Sequence, residues 1–187
     1  MKYLIAIFVL FASVATQIVT AQSGQSQPVL GAQLMVVQPG LTGYYEQPLG
    51  RQLVVRSEVS LIAGYAEQSF SDVQRTSGFG LNTVITVSPR LYYNLHKRQE
   101  AERVTARNTG NFVSLRTGYA PGWAVVTNQN FVAPTTGLTI IPTWGLKRAL
   151  GALRWEVSVG AGYRYTGLKG RNKTAGGALD LRVGIGF

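Results

Sequence analysis

Six arginines, Arg56, Arg90, Arg116, Arg154, Arg164 and Arg182, occupy alternate-residue positions within apolar stretches, and Glu58, Glu156 and Asp180 share their side. Enclosed together such groups must pair, because burying a lone charge costs several kcal/mol. They are expected to fill a narrow lumen as a network of ion pairs and hydrogen bonds. The competing use is a thin anion path or inner pocket lined by the arginine excess. Nucleophilic chemistry has less to work with. His96 is the single imidazole, beside Lys97 and Arg98, and acyl transfer through Ser88 or Ser114 needs a base within hydrogen-bond reach of the hydroxyl. A serine in a lumen row is more simply small polar filler, and a lone histidine at a strand end a solvated boundary residue. One histidine, no cysteine and no carboxylate cluster at ligand spacing give no reason to expect a metal or a cofactor. Gly167 to Thr174 lacks the Gly-Lys-Thr ending of a phosphate loop and joins two strands with no helix to receive phosphate. It reads as an exposed basic loop, in which Lys169, Arg171 and Lys173 suit the anionic phosphates of lipopolysaccharide.

Strands must position these groups, because the polar and apolar residues alternate with period two. In Leu153 to Tyr165, the row Leu153, Trp155, Val157, Val159, Ala161, Tyr163, Tyr165 faces away from Arg154, Glu156, Ser158, Gly160, Gly162 and Arg164. The last ten residues repeat the pattern, with Leu179, Leu181, Val183, Ile185 and Phe187 opposite Asp180, Arg182, Gly184 and Gly186. Similar segments cover 52–66, 78–95, 111–125 and 137–147. Residues 34–45 are less regular, broken by Gln38-Pro39-Gly40, and Glu46 to Gly50 reads as a compact turn. Pro89 and Pro142 sit in the apolar row, where each removes a ladder donor, so a bulge or membrane boundary is expected near them. Residues 96–110 form a charged connection with at most one or two helical turns. Seven segments are clear, and an eighth follows if 29–45 splits at Gln38-Pro39-Gly40.

The formal charge of +10 raises nucleic-acid binding, which relies on clustered Lys and Arg. Here most cations fall singly on strands. The denser run from Lys97 and Arg98 to Arg103 and Arg107 is interleaved with Glu100 and Glu102, as a solvated face would be. Nucleic acid is therefore not an expected partner. Met1-Lys2, the apolar run Tyr3 to Ala15 and Val19-Thr20-Ala21 match a cleaved secretory signal over 1–21. The apolar run is shorter than the roughly 20 residues of a spanning helix. Residues 22–28 read as a flexible leader, and 29–187 as one all-β domain.

A soluble sandwich would also alternate, with its apolar row turned inward. Three features favour a transmembrane barrel instead. The charged row is rich in glycine, as a crowded lumen requires, with Gly64, Gly80, Gly118, Gly160, Gly162, Gly184 and Gly186. Aromatics such as Tyr65, Tyr93, Trp123, Trp155, Tyr163 and Tyr165 lie toward strand ends, where membrane girdles form. The strands also exceed the usual soluble length of about five or six residues and reach the roughly 9 to 11 that cross a bilayer at a tilt.

The signal, the aromatic-terminated last strand and the size resemble the small outer-membrane β-barrel proteins of Gram-negative bacteria. Tyr92-Tyr93-Asn94-Leu95, Ile140-Ile-Pro-Thr-Trp144-Gly145 and Gly162-Tyr163-Arg164-Tyr165 resemble segments of uncharacterised Bacteroidota barrels. This resemblance implies an outer-membrane location, with Phe187 as the signal read by the insertion machinery. Eight antiparallel strands are expected, since bacterial barrels favour even numbers and a lumen of that size is filled by side chains. The expected function is non-enzymatic: a monomeric barrel in contact with outer-membrane lipid and lipopolysaccharide, serving envelope integrity or surface interaction. A small anion-permeable pore or an outer-membrane lipid-modifying enzyme is the alternative.

Overall fold

A computed structural model describes residues 25–69, 75–122, 124–127, 136–167 and 174–186. The expected signal at 1–21, leader residues 22–24, Trp123, the loop cations Lys169, Arg171 and Lys173 and the terminal Phe187 lie outside the described residues. The strands are β1 (Val29–Met35), β2 (Gly40–Pro48), β3 (Leu53–Ser69), β4 (Arg75–Leu91), β5 (Asn111–Pro121), β6 (Ala124–Thr127), β7 (Thr136–Leu150), β8 (Leu153–Thr166) and β9 (Thr174–Gly186). One short helix, α1 (Leu95–Glu100), follows β4.

Pairing is antiparallel throughout and runs β1–β2–β3–β4–β5–β7–β8–β9, with β9 returning to β1, so these eight strands close on themselves. Both β5 and β6 lie along β4, separated near Gly122, whose φ of 77° turns the chain. The nine segments therefore make a closed barrel of eight wall strands, β6 continuing the line of β5. The split that completes the count falls at the Pro-Gly signal, with β1 ending at Met35 and β2 beginning at Gly40.

Alternation decides which side chains the wall encloses. On β9, Leu179, Leu181 and Ile185 are 84%, 48% and 40% exposed, whereas Asp180 and Arg182 between them are 7% and 9% exposed. The same division runs around the wall: Leu34, Leu41, Val59, Val87, Leu115, Ile140 and Val159 point out, while Arg56, Glu58, Arg90, Arg116 and Glu156 are buried. Small residues in the inner row fit for two distinct reasons. A Cβ on Gly184 would meet the Gln33 side chain at 1.9 Å, which is lumen crowding; one on Gly162 would meet the Ile140 backbone oxygen at 2.2 Å, which is close approach of β7 and β8.

One end, here termed the base, carries the first described residues and the end of β9. It also carries the short turns after β2 and β7 and the connection containing α1. The turn after β7 shrinks to Gly151-Ala152, with Gly151 at φ 60°. Ser26 donates from its amide to Arg51 O at 2.6 Å, and the Gln27 amide donates to Asn108 Oδ1 at 2.7 Å. These two residues, within the stretch expected as a leader, thus meet matched backbone and amide partners on the turn and loop beneath them. The expected turn at Glu46 to Gly50 is likewise shorter: β2 runs on through Pro48 and buries Glu46 completely.

Pro89 and Pro142 mark gaps in the ladder, not bulges. Pairing of β4 with β5 skips from Val87–Thr117 to Arg90–Ser114, and that of β7 with β8 from Ile140–Tyr163 to Thr143–Gly160, each without change of register. Proline has no N–H to donate, so a bridge is lost while the strand stays in line.

Candidate functional site: a buried charge network above the barrel base

Val54, Tyr92, Leu95 and Phe112 close the base as a small apolar floor in which every member is fully buried. Leu95 reaches it from α1, and the Tyr92 and Phe112 rings pack tilted at 58° with centroids 5.4 Å apart. Asn108, Thr109 and Gly110 complete the floor from the loop after α1 and are also buried. Directly inward of the floor lies Glu46. Its carboxylate accepts from Asn108 Nδ2 at 2.7 Å and Tyr92 Oη at 3.0 Å, and it pairs with Lys147 at 3.3 Å and Arg56 at 3.2 Å.

From Glu46 the network spreads across the lumen. Arg56 contacts Glu58 at 2.5 Å and Glu156 at 3.0 Å, and donates to Gln33 Oε1 at 2.8 Å. Its guanidinium also lies 3.6 Å from the centroid of the Tyr44 ring, a cation–π stack. Arg90 contacts Glu156 at 3.0 Å and packs 4.4 Å above Phe112. Glu58 is the most shared anion: beyond Arg56 it faces Arg182 at 3.1 Å, Arg90 at 3.6 Å and Arg116 at 4.0 Å. Arg116 in turn pairs with Asp180, which also faces Arg182 at 3.7 Å.

Five cations (Arg56, Arg90, Arg116, Lys147 and Arg182) thus meet four carboxylates (Glu46, Glu58, Glu156 and Asp180). Through Gln33 on β1 the cluster touches every wall strand. Each charge is in ion-pair contact with the opposite sign, so the network cross-braces the barrel and occupies the lumen above the floor. Shared carboxylates held between guanidiniums are neither free bases nor free nucleophiles.

Of the nine charged positions anticipated from alternation, Arg56, Glu58, Arg90, Arg116, Glu156, Asp180 and Arg182 come together here. Arg154 does not. It sits at the base rim and donates to Gly151 O at 3.0 Å and Leu153 O at 2.9 Å. Arg164 is exposed near the opposite end, where β8 leaves the crowded lumen. Sequence reading missed Glu46 and Lys147. Their parity was available: Glu46 continues Thr42 and Tyr44, and Lys147 continues Thr143 and Gly145, but each was assigned to a turn or a strand terminus.

The serine and histidine weighed for acyl chemistry lie apart. Ser88 is buried in the lumen row, and the Ser114 hydroxyl is 2.6 Å from that of Thr143. His96 stands exposed on α1, outside the lumen, 3.3 Å from Glu100. No group of three or more potential ligands able to hold a metal ion occurs among the described residues.

Comparison with protein-family models, with curated proteins and with solved structures finds no match to this chain. What is defined is a class by architecture: a closed eight-stranded antiparallel barrel, apolar outside and ion-paired within.

Proposed function

We propose that this chain is a non-enzymatic outer-membrane barrel. Its apolar outer wall sits in hydrocarbon, its lumen is closed by the charge network, and its role is envelope integrity or surface contact as a monomer. The inverted distribution of polarity carries the reading. A water-soluble barrel turns apolar residues inward, and soluble monomers rarely expose contiguous apolar patches beyond a few hundred Å². Here leucines, valines and isoleucines cover the outside while arginines and glutamates are enclosed. Closure of the sheet leaves no unpaired backbone edge toward lipid, as a spanning structure requires. Tyr93 near the base and Phe79, Tyr119 and Tyr163 toward the other end are outward and exposed, a distribution that suits two interfacial girdles.

The floor and the cross-braced lumen argue for a barrel that carries no current. Membrane fractionation with gel mobility before and after boiling tests the location. The chain is expected in the outer-membrane fraction, migrating faster unboiled because a folded barrel resists dodecyl sulfate. Planar-bilayer recording tests closure, with no salt-dependent anion conductance expected. Recovery from a detergent-free periplasmic extract would reject the location, and a steady anion current would favour the pore.

A further inference from the structure

The outer face where β4, β5 and β7 approach the base carries three features stacked along one column, and together they follow the anatomy of a phospholipid. At the rim stand three guanidiniums. Arg148 closes β7, donating to Lys147 O at 2.9 Å and to Asn111 Oδ1, so its side chain is held beside β5. Arg98, on α1, is pinned by two donations to Val104 O at 3.0 and 3.3 Å. Arg103 follows in the same connection and is exposed. Burial, and then the nearby charges of Arg148 and Arg103, hold the Arg98 pKa below its ordinary value. Among the described residues none of the three makes an ion pair, and Glu100 is engaged with His96. The three cations share this end without an ion pair among the described residues, Glu102 preceding Arg103 in the connection, in contrast to the paired cations of the lumen.

Below the rim, Tyr93 and Trp144 face outward and are joined by a hydrogen bond from Trp144 Nε1 to Tyr93 Oη at 2.9 Å. The pairings Leu91–Val113 and Val113–Trp144 set Leu91, Val113 and Trp144 at one level, and Asn111–Leu146 the next outward level toward the base, with Arg148 one outward position beyond. Below the aromatic pair the wall opens into an apolar depression of about 590 Å³ lined by Pro89, Leu91, Val113, Leu115, Pro142 and Trp144. The two prolines flank Leu115 at the sites where the ladders skip, so the depression is formed by compact side chains on the wall.

We propose that this strip binds one anionic glycerophospholipid: its phosphate at Arg98, Arg103 and Arg148, and an acyl chain that passes the Tyr93–Trp144 pair and lies along the depression. The inference rests on the membrane reading above. Charge complementarity selects the occupant, because guanidinium forks match phosphate oxygens and cations near a membrane surface favour anionic lipid. Lengths agree as well. The six residue steps from Pro142 to Arg148 span about 20 Å of strand. At a tilt of about 40° that projects to about 15 Å, one leaflet of a hydrocarbon core roughly 30 Å thick.

The test uses the full chain reconstituted in phosphatidylcholine vesicles, with brominated phosphatidylglycerol or brominated phosphatidylcholine added as the quencher of tryptophan fluorescence. Quenching by the anionic lipid is expected at roughly tenfold lower mole fraction, the effect of one or two phosphate contacts. The R98A/R103A/R148A variant is expected to lose that preference while keeping its heat-modifiable mobility, since all three lie outside the lumen network. Val159→Phe, which intrudes on the depression while leaving the cations, should weaken quenching by both lipids, whereas glycerol phosphate in solution should not compete. Equal quenching by both lipids in the unaltered chain, a preference that survives the triple substitution, undiminished quenching in Val159→Phe, or competition by glycerol phosphate would each overturn the site. Failure of the unaltered chain to enter vesicles would instead sink the membrane reading itself.

Discussion

Replacing Glu58 by alanine is expected to destabilise the barrel by about 3–5 kcal/mol, the range for removing one partner of a buried ion pair. Glu58 is 1% exposed and is shared by Arg56, Arg90, Arg116 and Arg182. Its loss leaves those guanidiniums crowded in the lumen with Glu46, Glu156 and Asp180 as the remaining anions. The measurement is the urea midpoint in detergent micelles, followed by tryptophan fluorescence and by loss of the fast-migrating unboiled band. Because Arg182 lies 3.1 Å from Glu58, the Glu58→Ala/Arg182→Ala pair should destabilise by less than the sum of its parts, as contacting residues do. A shift indistinguishable from that of exposed His96→Ala would show that the network does not brace the wall.

The second large effect concerns the outside. Val159 lies mid-strand on β8 with its side chain half exposed and directed away from the lumen. If water bathed this face, Val159→Arg would change stability by no more than about 0.5 kcal/mol, as exposed substitutions usually do. In lipid the same arginine is expected to cost about 2–4 kcal/mol, the penalty near the bilayer midplane of a membrane barrel. Reversible urea unfolding in lipid vesicles separates the two values. Arginine is already abundant in this chain, so the result depends on the side of the wall and not on residue type.

Much of the architecture was legible because period-two alternation is strict on β8 and β9. Arg154, Glu156 and Ser158 on one strand and Asp180 and Arg182 on the next could face only one way once the sheet closed. Strand ends were less legible. Glu46 lies two residues before Pro48, and a Pro-Leu-Gly sequence reads as a turn wherever it occurs, yet an edge of the ladder at Pro48 tolerates proline and the strand continues to it. Lys147 was obscured by the neighbouring Arg148, because two adjacent cations at a strand end suggest a solvated rim. In the folded chain one turns inward to Glu46 and the other outward toward Asn111. The floor was not readable at all. Asn108 contacts Gln27 and Glu46, residues 81 and 62 positions distant, and no local pattern announces such a meeting. Arg154 and Arg164 had the right parity for the lumen, but parity fixes a side of the wall and says nothing of depth along it.

Because the chain has no cysteine, single cysteines at Leu181 and Val159 on the outer row and Ser158 on the inner row can carry nitroxide labels without background. Collision rates with oxygen, which concentrates in hydrocarbon, and with a water-soluble nickel chelate, measured in reconstituted vesicles, read each site's surroundings directly. The account predicts frequent oxygen and rare nickel collisions at 159 and 181, and shielding from both at 158. Nickel collisions at 159 and 181 as frequent as on an open aqueous surface would contradict it.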